Sequence, residues 1–317
     1  MVFTKLIIAG TTGYVADHAI RTILASTKPK FDVTILTRVD SGKAVAFIPG
    51  ARVVPVDYND HHGLVKTVAG AHAILSFISG PSSKAIDRLL LKAAQEAGVR
   101  RIFPSEYTLD ILHPAAVSLL TEGGSWPDDT SAVVTARKFV SLADEGGPTS
   151  FTTLVPSAFM VSWLEGDFGF FEPKNRKVTV LDSGDHYFSG CSLPFIGAAI
   201  VAVLQMDEEK TKNKRIPITE VRATMNQIVD IYEELLVTKF QRVQITSQEL
   251  LNKRNADLAA GNAFAALFDG IIVGAFNGCG AGDLVDGLAF DGDGLLNIKR
   301  KTLKELTAEA LKNIGAI

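Results

Sequence analysis

Two cysteines, Cys191 and Cys279, are all that the 317 residues contain, so neither a disulfide framework nor a cysteine-built zinc site is expected. No run of about 18 apolar residues occurs, which argues against a membrane span. The apolar start MVFTKLIIAG meets glycine too soon for a signal peptide and reads as a strand. Lysine and arginine form no block and the net charge is −3, so nothing marks a nucleic-acid surface. Metal ligation has little to work with. In DGDG (291–294) the EF-hand spacing fails because Leu295 takes a ligand position, and the adjacent His61 and His62 cannot face one ion from a helix side. Low hydrophobicity is also missing: 47% hydrophobic residues against 21% charged ones exclude a disordered chain. The expectation is a cytoplasmic, enzyme-like protein, monomer or homodimer.

The first half alternates strand and helix signals. Apolar runs at LIIAG (6–10), DVTILTR (32–38), ARVVPVDY (51–58), AHAILSFIS (71–79), VRRIFPS (99–105) and SFTTLVPS (150–157) read as strands. Helical spacing separates them, most strongly in SKAIDRLLLKAAQEA (83–97), which Gly98 stops, and a helix around 131–145 leads to the sixth. Strands separated by helices predict right-handed crossovers and a doubly wound parallel α/β sheet of the Rossmann type over residues 1–157. Residues 158–317 read mainly as a smaller α/β substrate-binding cap. Helices are expected at 194–206, 222–237 and 246–260, and a strand near 214–220 is expected to return to the main sheet. The Gly-rich stretch 269–294 reads as the loosest part of the chain.

Gly10 and Gly13 sit between the first strand and a helical pattern. Gly10 permits the tight turn. Gly13 lets the backbone approach a pyrophosphate, whose charge suits the N–H groups at a helix start. The third small residue of the dinucleotide fingerprint is Ala16, which keeps helix and strand close. Thr12, Tyr14 and Val15 complete the expected cofactor turn. An acidic residue ending the second strand would bind a ribose 2′-hydroxyl. Here Thr37 and Arg38 stand there instead, and a guanidinium suits a 2′-phosphate, so NADP (NADPH) is expected with Lys43 assisting. Asp57 either accepts from the adenine amino group or is an ordinary turn aspartate. Ser79 and Gly80 end the fourth strand and are expected under the cofactor. Pro104, Ser105 and Tyr107 follow the fifth, at the carboxyl edge where doubly wound sheets bind ligands.

Four segments, GTTGYVA (10–16), LTR (36–38), AAQEAGVRRIFPSEY (93–107) and TTLVPSAFM (152–160), resemble the isoflavone-reductase-like, or NmrA-like, family of atypical short-chain dehydrogenases. ITEVRATMNQIVDIYEEL (218–235) resembles it too, more weakly. The resemblance implies an NADPH-binding Rossmann domain, a substrate cleft against a smaller cap, and a single lysine on the helix before the sixth strand. Lys138 in TARKFVSLADEGG (135–147) is the best match. Arg137 is the competing alignment, and ungapped counting from Thr152 lands near Phe139. The Tyr–Lys pair of ordinary short-chain dehydrogenases is absent, because Val134 stands four residues before Lys138. By the same resemblance Phe159 lies against the nicotinamide. Tyr107, Phe159, Met160 and Trp163 are expected at the substrate, with Phe168, Phe170 and Phe171 close by, a set that suits a flat apolar molecule or an ordinary cap core. The implied activity is reduction of a small aromatic or polyketide-like metabolite with Lys138 handling the proton. The alternatives are a non-catalytic NAD(P) sensor of the NmrA type, or a non-redox isomerase or lyase on the same fold.

Overall fold

The computed structural model describes residues 3–39, 48–126, 131–285 and 298–317. Its central sheet follows from the alternating apolar runs. Strands β1 (Lys5–Ala9), β2 (Asp32–Arg38), β3 (Arg52–Val56), β4 (Ala73–Ser76), β5 (Arg101–Phe103), β6 (Ser150–Val155) and β7 (Lys214–Pro217) stand in the order β7-β6-β5-β4-β1-β2-β3. Contacts from β3 through β6 are all parallel. β4 and β6 are buried along their whole length, as strands covered on both faces must be. The connecting helices are α1 (Tyr14–Ala25), α2 (His61–Val68), α3 (Ser83–Ala97) and α4 (Ala132–Val140), the last continuing as a short turn Leu142–Glu145. The chain runs outward from β1 to β3 and then back to β4. The β1/β4 boundary is therefore the topological switch point, where doubly wound sheets take their ligands.

One compact unit comprises Met1–Glu106, Pro127–Leu154 and Ile196–Ile216, and thus holds the sheet. It also holds most of helix Leu193–Gln205, which packs on α1 at Gly197. A Cβ there would stand 2.9 Å from the Thr22 hydroxyl and 3.1 Å from the His18 carbonyl oxygen. The other unit comprises Tyr107–Trp126, Val155–Phe195 and Pro217–Ile317. It carries two three-stranded sheets. Phe188–Cys191 lies between Val221–Ala223 and Ala158–Phe159 in one, and Lys177–Leu181 lies between Gln241–Ile245 and Phe171–Glu172 in the other. Among the described residues no helix is long and apolar enough to cross a membrane.

Three expectations are corrected here. The stretch read as loosest begins inside a helix, Ala263–Phe276. The two glycines inside that helix serve close packing rather than turning: a Cβ at Gly270 would stand 2.9 Å from Leu120, and one at Gly274 would stand 3.3 Å from Leu109. The DGDG turn at 291–294 lies outside the described residues. The helix expected over 222–237 begins only at Met225, because Val221–Ala223 pairs as a strand and Thr224 closes a capping box with Gln227. The helix expected around 131–145 is interrupted at Ser141.

A buried arginine ties the sheet together. Arg101, 1% exposed on β5, donates to Ser150 Oγ at 2.7 Å, Thr152 Oγ1 at 2.6 Å, Thr211 Oγ1 at 2.9 Å and the Glu208 carbonyl at 3.0 Å. Burial pushes its guanidinium down to about 10, against the pull of Glu208 and Glu209. Ser150 and Thr152 donate hydrogen bonds in turn to the carbonyls of Arg100 and Thr211, so the hydroxyls both accept and donate. Replacing Arg101 by methionine keeps the volume but strips these hydroxyls of their donor. The expected loss is about 3 kcal/mol of stability, read as a lower urea midpoint at unchanged slope. A midpoint equal to wild type would show that the network contributes nothing.

Candidate functional site

The glycine turn is fixed by its neighbours. Gly10 has φ +91°, and a Cβ on it would stand 2.9 Å from both Ile78 N and Phe77 C. At Gly13 a Cβ would stand 3.2 Å from the Phe77 carbonyl oxygen and 3.4 Å from Ser79 Oγ. The turn after β1 thus lies directly on the segment after β4. Gly13 is also the cap residue of α1 and supplies no side-chain cap. No side chain of the cap residue therefore competes for the first turn, where Ala16 N–H donates to the Gly13 carbonyl at 3.1 Å. Thr12 and Tyr14 are exposed, whereas the Val15 and Ala16 side chains are buried, so Val15 has only its backbone to offer.

Arg38 is exposed at the carboxyl end of β2. Beside it, the Thr37 hydroxyl is buried without a hydrogen-bond partner. Such an atom normally has a partner, and a phosphate oxygen would be one. Tyr58 is also close: burial drives its phenol up, and Arg38 opposes that rise. Asp57 behaves as a turn aspartate, its Oδ1 accepting the Asn59 N–H at 2.9 Å. Lys43 lies outside the described residues.

The segments after β4 and β5 are clamped at Ser105. Its hydroxyl donates to the Ile78 carbonyl at 2.8 Å, and its N–H donates to Asp87 Oδ2 at 3.0 Å. Its carbonyl accepts from Lys84 Nζ. Asp87 is fully buried. Burial raises its carboxyl above the ordinary range, while Lys84, Ser76 and the Ser105 N–H pull it down. Ser79 is exposed, Gly80 takes φ +87°, and Pro104 is buried. Glu106, 3% exposed, pairs with Arg215 of β7.

Lys138 stands apart from these residues. The face of α4 toward the core carries Thr135, Ala136 and Phe139, and Arg137 and Lys138 are exposed. Lys138 Nζ lies 2.7 Å from Glu145 Oε1, and this bond holds the Glu145 carboxyl below its usual range. Ser150 pairs with Arg101, the first residue of β5, so β6 starts at the amino edge of the sheet. The bond to Glu145 points Lys138 along its helix toward that edge.

The other candidates fall in the second unit. Tyr107 and Phe159 are half-buried, whereas Met160 is fully buried against Gly190. Trp163, 7% exposed, is ringed by Phe168, Phe170, Phe171 and Phe276 at centroid distances of 4.8, 5.7, 6.4 and 4.9 Å. Met160 and Trp163 therefore build the core of this unit. Sequence reasoning passed over Lys84, Asp87 and the Glu106–Arg215 pair. Asp87 carried a signal, since it falls on the buried stripe of α3 with Ser83, Leu90, Leu91 and Ala94.

Known proteins agree with this architecture. Residues 4–117 match the model of the NmrA-like family. A bifunctional pinoresinol-lariciresinol reductase of Linum usitatissimum is 26% identical over 261 residues, 78% of this chain and 80% of that one. An isoflavone reductase of Cicer arietinum is 23% identical over 286 residues, 83% and 86% of the two chains. Among solved structures, AtPrR2 with NADP+ and (+)pinoresinol superposes with a TM-score of 0.72 at 20% identity, covering 96% of this chain and 98% of that one. The leucoanthocyanidin reductase–NADPH complex from Vitis vinifera gives 0.70 at 18% identity, covering 97% and 99%. The chain as a whole has the fold of the AtPrR2 and leucoanthocyanidin reductase structures.

Proposed function

We propose that this chain is an NADPH-dependent reductase of a small aromatic or polyketide-like metabolite, acting at a ketone, enone or quinone-methide carbon. The observation that carries the reading is the carboxyl edge at the switch point. It joins a glycine turn, a helix start without a side-chain cap, and the Thr37–Arg38 pair at the end of β2. When bound, NADPH supplies the hydride. The chain's own part is to hold and orient. The backbone of Gly10 to Val15 takes the pyrophosphate, Arg38 with the Thr37 hydroxyl takes the 2′-phosphate, and Ser79, Gly80, Pro104 and Ser105 line the edge beyond. Tyr107 and Phe159, half-buried in the second unit, are the better candidates for substrate contact. Relatives named as pinoresinol, lariciresinol and isoflavone reductases support an aromatic substrate class.

The proton is assigned to a lysine. For Lys138 that assignment requires it to leave Glu145, and the same ion pair favours the second reading, an NAD(P) sensor of the NmrA type without chemistry. Oxidation of NADPH against a panel of aromatic ketones, enones and phenylpropanoids separates the two. Turnover on at least one member is expected. Tight binding with no oxidation, together with a copurifying protein partner, would replace the reductase by the sensor.

Arg38 sets the cofactor preference in this reading. Wild type is expected to bind NADPH more tightly than NADH by fluorescence titration. Arg38→Ala is expected to cut that preference by about tenfold, on the order of 1.4 kcal/mol, with NADH affinity unchanged. A wild type that shows no preference would overturn the NADP assignment. A variant that keeps the full preference would remove Arg38 from it.

A further inference from the structure

The lysine nominated by resemblance faces outward, and the buried residues of α4 are Ala132, Val133, Thr135, Ala136 and Phe139. A different ammonium stands at the carboxyl edge. Lys84 lies in the first turn of α3, the helix that follows β4, and its half-buried side chain reaches the main-chain carbonyl of Ser105, just beyond β5. Ser105 is pinned on its other two polar groups, by Ile78 and by the buried Asp87. The ammonium is thus held between the ends of β4 and β5, beside the β1/β4 switch point. Its direct partner is a neutral carbonyl, whereas the partner of Lys138 is a carboxylate. Donation from Lys84 breaks no hydrogen-bonded ion pair with its anchor, although it withdraws for that moment the charge that steadies the buried Asp87, and an ammonium keeps N–H donors to spare after one carbonyl.

We propose that Lys84 carries the proton at this edge and touches the bound ligand there, the place that the family resemblance gives to a lysine of α4. The proposal rests on the reductase reading. Its balance is one for one. For each hydride added to a carbonyl carbon, the C=O π pair moves to oxygen, and that oxygen takes one proton from Lys84 Nζ. Water then recharges the neutral amine.

The test begins with NADPH binding to the wild-type chain. Absence of binding would overturn the reductase reading and this proposal with it. With binding established, lysines are labelled by an amine-reactive reagent with and without saturating NADPH and read by mass spectrometry. Loss of labelling at Lys84, with Lys138 unchanged, is the expected result. Equal labelling of Lys84 in both states would overturn the proposal while leaving the reductase reading in place. On a substrate found in the panel, Lys84→Met is expected to lower kcat by about 100-fold with NADPH affinity kept, and Lys138→Met to retain turnover. Full turnover in Lys84→Met would overturn the assignment. Should the methionine variant fail to fold, Lys84→Arg keeps the charge and a donor to the Ser105 carbonyl but holds its proton too tightly to give it, so the same loss is expected. If NADPH binds and no substrate of the panel is reduced, the reductase reading falls and the proton role of Lys84 falls with it; protection from labelling then still supports Lys84 at the ligand, and equal labelling removes that contact too.

Discussion

Gly10 lies with its α-carbon against the peptide that joins Phe77 to Ile78, and that contact sets the geometry of the whole ligand edge. A methyl group at Gly10 would stand 2.9 Å from two backbone atoms that cannot move without pulling β4 out of register with β1. The positive φ of +91° adds a conformational cost for any other residue, on the order of 1–2 kcal/mol. The turn therefore seats on the end of β4, and α1 starts where the turn delivers it, beside the switch point. Phe77 N–H donating to the Ala9 carbonyl at 2.7 Å closes the same junction from the sheet side.

The second half of that edge depends on Ser105. A loop after a short strand such as Arg101–Phe103 has few ladder bonds to hold it. All three polar groups of Ser105 are used to tie it down, through Ile78, Asp87 and Lys84. The Ile78 bond links it back to the segment on which Gly10 rests, so the ends of β1, β4 and β5 form one connected backbone surface. Burying Asp87 for this purpose is costly, as the upward displacement of its carboxyl records. Lys84 offsets part of that cost, which couples the position of the ammonium to the integrity of the clamp.

Much of this was legible in the residues. Asp32–Arg38 and Ser83–Ala97 form over the spans their patterns mark, because a continuous apolar run and a sustained helical stripe leave little choice. The glycine fingerprint was legible because its chemistry is local. The helix Ala263–Phe276 was not, since Gly270 and Gly274 look like loop residues until their close packing on Leu120 and Leu109 is seen. The aromatic cluster around Trp163 read equally as substrate pocket or core, and its mutual ring contacts make it core. Lys84 was passed over because its significance is a tertiary contact with Ser105, 21 residues away, and no periodicity announces such a contact.

The orientation of Lys138 follows from packing rather than from its ion pair. Phe139 is 1% exposed and belongs to the core cluster with Leu90, Leu91, Ile102 and Phe151. Rotating α4 by one residue to turn Lys138 inward would expose that ring, at a cost of about 1.5–3 kcal/mol, and would press an ammonium among apolar side chains. The pair with Glu145 is exposed and screened by solvent, too weak to set the rotation of a helix against those terms. Phe139 therefore fixes the outward direction of Lys138, and the bond to Glu145 is its consequence. Removing Glu145 would leave Lys138 on the same exposed face of α4.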